Sequence, residues 1–230
     1  MVFPLRDSVR SRRRPWVTWG LVAANLLVFL AEVAAASSVY DLLDLFAVVP
    51  TQALQSRVWF ATGGWPLVTL FTSTFFHGSW LHLLGNMLYL WVFGDNVEDI
   101  LGHGRYLVFY LLCGVLANLA HIFANPTSGI PTIGASGAVA GVLGAYLLSF
   151  PHARILTVFQ FGIFVPVLPI RAWAFLAFWF LMQLFSGLSP IWTADTAQTV
   201  AFWAHISGFL SGFALVRLLR PEPKAPVPGR

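Results

Sequence analysis

The sequence predicts an all-α membrane protein, a bundle of six transmembrane helices with both termini on the cytoplasmic side. Three observations predict it. Only 10% of the 230 residues are charged and 58% are hydrophobic, whereas a soluble domain carries about 25% charged residues; so few charges cannot coat a water-facing surface. Six apolar stretches approach the roughly 20 residues that a helix needs to cross the hydrocarbon core. The Lys and Arg residues fall almost entirely on one side of a membrane crossed six times, and that side is cytoplasmic.

The first span, Pro15–Ala36, follows a basic tail over 1–14 that carries Arg6, Arg10, Arg12, Arg13 and Arg14. Its apolar run is too long for the core of a signal peptide. The second span is Trp80–Ile100 and the third Tyr106–Ala124, with Arg105 between them. The fourth is Ile133–Phe150. The fifth, Ile170–Gly187, is held short by Pro166 and Pro169, and Arg154 and Arg171 lie between these two. The sixth, Thr199–Leu219, closes a 15–219 domain and is followed by Arg220, Lys224 and Arg230 in a proline-rich tail over 220–230, "RPEPKAPVPGR", expected to be disordered. None of the runs alternates as a barrel strand would, and lipid leaves no open backbone groups, so each is read as a helix. Arg57 alone falls on the outer side, in the Trp- and Phe-rich segment Val39–Ser79, which suits the lipid–water boundary. The other outer connections are Asn125–Thr132 and Leu188–Gln198. The basic residues thus report topology, and nucleic acid is not an expected partner. Cys113 is the single cysteine, so no intrachain disulfide forms.

Polar groups inside a membrane are costly and are usually functional or mutually paired. The second span opens with "HGSWLHLLGNMLYLW", in which His82 and Asn86 are four apart and share a helix face, with His77 just before them. The fourth opens with "GASGAVAG", which holds Ser136. The sixth contains "AHISGFLSGF", which holds His205. All three spans run from outside to inside, so these side chains lie in the outer part of the bilayer; His205 sits roughly 10 Å below the start of its helix. Gly134, Gly137, Gly141 and Gly144 form a small-residue stripe on the fourth span, and Ala204, Gly208 and Gly212 form another on the sixth; such stripes let helix backbones approach closely.

A serine hydroxyl is a weak nucleophile until a base takes its proton. His205 is the candidate base for Ser136. His82, Asn86 and the backbone N–H of Ser136 are candidate donors to a developing oxyanion. Glu98 and Asp99 stand at the inner end of the second span and Asp195 in an outer loop, so no carboxylate is assigned at the depth of the serine and a Ser–His dyad is expected. Each residue alone has a plainer reading. A membrane serine commonly bonds back to its own helix, glycine stripes usually serve packing, and His77 reads as a structural cap or loop contact. Glu98 and Arg105 are expected to pair near the inner surface. The joint arrangement on three helices is what favours chemistry.

In this pattern the chain resembles the rhomboid intramembrane serine proteases. The resemblance rests on His77, His82 and Asn86 in "HGSWLHLLGN", on Ser136 in "GASG", on His205 in "AHISGFLSG", and on "VEDILGHGRYLVFYLLCG" after the second helix. It implies a six-helix core that cuts transmembrane protein substrates within or near their membrane segments, with Ser136 as nucleophile, His205 as base, and His82 and Asn86 beside the oxyanion. It implies no cofactor and no metal, and, with so short a chain, a bacterial inner membrane with the site opening outward. Two departures stand out: the outer segment lacks the Trp-Arg pair of many members, and Ala140 occupies a position where some carry an aromatic ring against the catalytic histidine. Three other classes compete. A transporter would need polar groups through the full depth of the membrane. A zinc protease built on His77, His82 and His205 lacks the HExxH pattern. A catalytically silent relative that binds membrane proteins would be expected to lack the serine or the histidine. Leu188–Gln198 and the fifth helix are the expected gate for substrate.

Overall fold

The computed structural model describes residues 2–35, 39–55, 65–160, 164–189 and 201–221. Arg57, Asp195, most of the Leu188–Gln198 loop and the proline-rich tail lie outside them.

Six principal helices form where the apolar runs predict them: α1 (Trp16–Ala34), α5 (Trp80–Leu101), α6 (His103–Ala124), α7 (Ser136–Ser149), α8 (Ala172–Leu188) and α9 (Phe202–Leu219). Between α1 and α5 run the short helices α2 (Val39–Phe46), α3 (Pro50–Ala53) and α4 (Trp65–Thr72), followed by a single tight turn over Ser73–Phe75. Helices α1, α6 and α9 are each long and apolar enough to cross a membrane, while α7 and α8 are shorter apolar helices. Helix α6 begins at His103, three residues before the expected Tyr106. Gly102 ends α5 at φ 77°, a left-handed conformation open to glycine, so the chain reverses there and resumes its helix at once.

Helix α7 is the centre. Every residue from Gly137 to Tyr146 is buried, as expected of a helix apolar all round. It packs against α5, α6, α8 and α9, and α1 packs against α5 and α6. The glycine stripes meet as predicted except at Gly134, which stands before the start of α7 and faces His82 instead. A Cβ built on Gly208 would stand 2.1 Å from the carbonyl oxygen of Gly137, and one on Gly212 would stand 1.9 Å from that of Gly141. The α7 and α9 backbones are therefore in direct contact. Leu81, Trp91, Phe123, Phe185 and Leu218 are more than half exposed and suit lipid.

The all-α expectation is corrected by a three-stranded antiparallel sheet of order β1-β2-β3, formed by Val2–Asp7, Arg154–Phe159 and Val167–Arg171. The basic tail is thus part strand, and the fourth-to-fifth connection is a hairpin. Pro4 and Pro169 lie on the two outer strands, where a missing N–H does not break the central ladder. The sheet joins the helices through Asp7, whose carboxylate accepts from Asn96 Nδ2 at 2.8 Å and from the Tyr146 hydroxyl. Burial pushes the Asp7 carboxyl up to about 6 even though the Tyr146 hydrogen bond favours the charge.

The end of α5 caps the start of α1. Glu98 accepts from the backbone N–H groups of Val17 and Thr18 at 2.9 and 2.8 Å and from the Thr18 hydroxyl at 2.7 Å, which satisfies donors that a helix start leaves open. Asp99 accepts from the backbone N–H groups of Arg12 and Arg13. The expected Glu98–Arg105 pair is replaced: His103 Nδ1 lies 2.5 Å from Glu98, and Arg105 reaches the carbonyl of Leu219 instead.

Candidate active site

Ser136 is the first residue of α7, so its backbone N–H belongs to the helix turn that has no carbonyl partner within the helix. Gly134 sets the approach. Its φ of 125° lies in the region that favours glycine, and its N–H donates to the carbonyl of Ser73 at 2.9 Å. Ser73 is in turn fixed by Asn118 of α6, whose amide donates to the Ser73 hydroxyl at 3.0 Å and to the Leu70 carbonyl at 2.8 Å. A Cβ on Gly134 would stand 2.7 Å from Nε2 of His82. The first glycine of "GASG" thus supplies both a backbone conformation and room for the His82 ring.

His205, on the first turn of α9, points its Nε2 at the Ser136 hydroxyl, with 2.8 Å between Nε2 and Oγ. Its other ring nitrogen, Nδ1, lies 2.8 Å from Oε1 of Gln183 on α8. Trp179, one turn earlier on α8, lies tilted beside the same ring at 6.1 Å between centroids, and Phe202 meets it edge-on at 6.3 Å.

On α5, Ser79 caps the helix by accepting from the backbone N–H of His82 at 3.2 Å. Asn86 Nδ2 lies 3.0 Å from Nε2 of His77. His77 is almost fully buried. Burial first, and His82 second, push its imidazole down to about 4, so it is neutral at pH 7. Its Nδ1 lies 3.3 Å from the Phe75 carbonyl; a proton there leaves Nε2 as the acceptor for Asn86. The structural expectation for His77 is thereby made specific: it orients an amide. Its own backbone N–H donates to Glu32 of α1 at 3.2 Å.

These groups share one cavity of about 1150 Å³, lined by His82, Asn86, Ser136, Gln183 and His205 together with the loop between α6 and α7. The structure brings Ser136 together with His205, and Asn86 together with His77 and the Gly134 turn. Gly137, Gly208 and Gly212 stay in the helix contact. A hydroxyl bonded to an imidazole, beside free backbone N–H groups and side-chain donors, is an arrangement able to carry out acyl transfer. Among the described residues, no three His, Cys, Asp or Glu side chains stand where they would share a metal ion.

Two residues escaped the sequence reading. Glu32 is a carboxylate near the C-terminal end of α1, a residue the sequence reading did not name when it assigned no carboxylate near the serine; its partner is the backbone at His77. Gln183 is an uncharged polar residue on the apolar helix α8. The signal for both was the same as for Asn86, a polar side chain in an apolar run.

The Rhomboid domain model matches residues 64–222. The chain is 37% identical over 158 residues to the chloroplastic Rhomboid-like protein 11 of Arabidopsis thaliana, covering 67% of this chain and 53% of that one. It is 29% identical over 203 residues to the mitochondrial Presenilin-associated rhomboid-like protein of Mus musculus, covering 84% and 46%. It is 32% identical over 141 residues to Rhomboid protease GluP of Bacillus subtilis, covering 61% and 26%. The chain spans about half the length of the first of these relatives or less. Organellar relatives stand beside the bacterial one, so the expected bacterial inner membrane draws no support from them. With the domain match covering most of its length, this chain belongs to the rhomboid family.

Proposed function

We propose that the chain is an intramembrane serine endopeptidase that cuts transmembrane protein substrates near the outer face of the bilayer. The observation that carries the reading is the 2.8 Å contact between Ser136 Oγ and His205 Nε2 on the wall of an open cavity. Ser136 Oγ attacks the scissile carbonyl while His205 Nε2 takes the hydroxyl proton. The tetrahedral oxyanion is met by the Ser136 N–H, His82 and Asn86. His205 returns the proton to the leaving amine, which breaks the peptide C–N bond and leaves an acyl ester on Ser136. Water, deprotonated by His205, then releases the acid and restores the serine. The cavity is broad enough to admit that water and an unwound stretch of substrate; an intact helix would keep its carbonyl in its own hydrogen bonds.

The proposal includes the membrane arrangement: α1 and α5–α9 are the six spans, the sheet and both termini are cytoplasmic, and the cavity faces outward. The arginine distribution supports it.

The test is a fluorophosphonate probe applied in detergent, with the labelled residue mapped, alongside cleavage of a model transmembrane substrate. Labelling at Ser136, and loss of both labelling and cleavage in Ser136→Ala at unchanged thermal stability, is the expected result. Cleavage by Ser136→Ala at the wild-type rate would end the reading. A stable wild-type protein that neither labels nor cleaves would favour a silent client-binding relative.

A further inference from the structure

We propose that Gln183 is a positioning residue for His205, so that the base is set by α8, a helix that carries neither Ser136 nor His205. The inference rests on the hydrolase reading above. Imidazole can serve Ser136 only as the tautomer with its proton on Nδ1 and its lone pair on Nε2. Gln183 Oε1 stands 2.8 Å from Nδ1, and a carbonyl oxygen only accepts. The amide itself is oriented, because its Nε2 faces the Trp179 carbonyl one turn back at 3.4 Å, which directs Oε1 to the ring. Trp179 lies beside the imidazole, and Phe202 of α9 meets it edge-on. The hydrogen-bond partner at Nδ1 and one flanking ring thus both come from α8.

This arrangement has a consequence for substrate entry. Helix α8 exposes Trp173, Phe178, Leu181 and Phe185 on its outer face. Any outward movement of α8 withdraws Gln183 from Nδ1 and releases the tautomer. The base is therefore best set while α8 sits against α9.

The groups facing His205 are Ser136 on α7, Gln183 and Trp179 on α8, and the titratable His82 on α5 and His121 on α6, both close enough for their charges to bear on it. A pH profile separates positioning from packing. Gln183→Leu removes the acceptor at similar size; kcat is expected to fall about tenfold or more, the worth of one ordinary hydrogen bond or greater, with KM little changed. Gln183→Glu keeps an acceptor and adds a charge that holds the imidazolium, so kcat is retained at high pH while the acidic limb of the profile moves up by about one unit or more. Variants are compared at matched thermal denaturation, with Gln183→Met replacing Leu if Leu disturbs the helix. Wild-type kcat in Gln183→Leu overturns the proposal, whatever the glutamate variant does. A loss in Gln183→Leu with an unmoved limb in Gln183→Glu marks a packing role and overturns it too. Fluorophosphonate labelling of wild-type Ser136, run in parallel, distinguishes these results from failure of the hydrolase reading itself.

Discussion

Asn86 faces two tasks with one amide. One N–H of its Nδ2 is taken by His77 Nε2 at 3.0 Å, and the other is free to face the Gly134 turn, where a Cβ would meet the same nitrogen at 3.7 Å. A donor held in this way costs no reorganisation when charge develops on the substrate oxygen. Asn86→Ala is therefore expected to lower kcat by two to three orders of magnitude, roughly 3 kcal/mol, with KM nearly unchanged. Steady-state cleavage of a model substrate checks it, and a raised KM at wild-type kcat would assign Asn86 to substrate binding instead. At this scale much of the candidate site was legible. Ser136, His205, His82 and Asn86 each stand out as polar groups in apolar runs, and helix direction alone puts them at one depth. The same counting, applied to α8, puts Gln183 near the outer end of its helix, but a glutamine outside any motif carries no chemical signature of its own. Glu32 was passed over although it is a carboxylate in the first apolar run, and its partner is a backbone N–H.

Helix boundaries were legible to within a few residues because lipid demands uninterrupted apolar runs. The close contact of α7 and α9 was legible too, because only glycine leaves a backbone free to touch a neighbour. The sheet was not. Strands of five and six residues carrying Arg and Pro look like the polar links between spans, and β1 finds its partner some 150 residues away, a pairing that no local pattern announces. The glycine contact makes a sharp comparison possible. Gly208→Ala forces a methyl group into the Gly137 carbonyl, so α7 and α9 must part; a loss of about 1–3 kcal/mol is expected, read as a lower Tm. Gly20→Ala on α1 meets nothing within 4 Å and gains about 0.5–1 kcal/mol of helix preference. Thermal denaturation of the two variants in one detergent is the measurement. Equal shifts would mean that the close contact carries no stability.

The whole molecule is polarised along α7. Ser136 begins that helix at the cavity, and Tyr146, ten residues or about 15 Å further along, donates to Asp7 of the sheet. Ser136 and the arginine-bearing sheet therefore stand at opposite ends of one buried helix. If the helices cross the bilayer as proposed, the loop between α6 and α7 and the turn between α7 and β2 must face opposite sides. Thr127 and His152 are exposed in those two places, while native Cys113 is buried and gives little background. A membrane-impermeant maleimide is expected to label Thr127→Cys in intact spheroplasts, and His152→Cys only after the membrane is opened. Arg10→Cys, exposed beside β1, should follow His152→Cys because the sheet ties both to one face. Labelling of all three positions from one side would break the six-span arrangement. Labelling of His152→Cys alone in intact cells would invert it, and would turn the candidate site toward the cytoplasm. The positive-inside asymmetry predicts neither outcome. In the proposed arrangement the five arginines before α1 and the four basic residues of the sequence from Arg217 onward favour the anionic leaflet for both ends, which would leave α7 a single direction in which to carry Ser136.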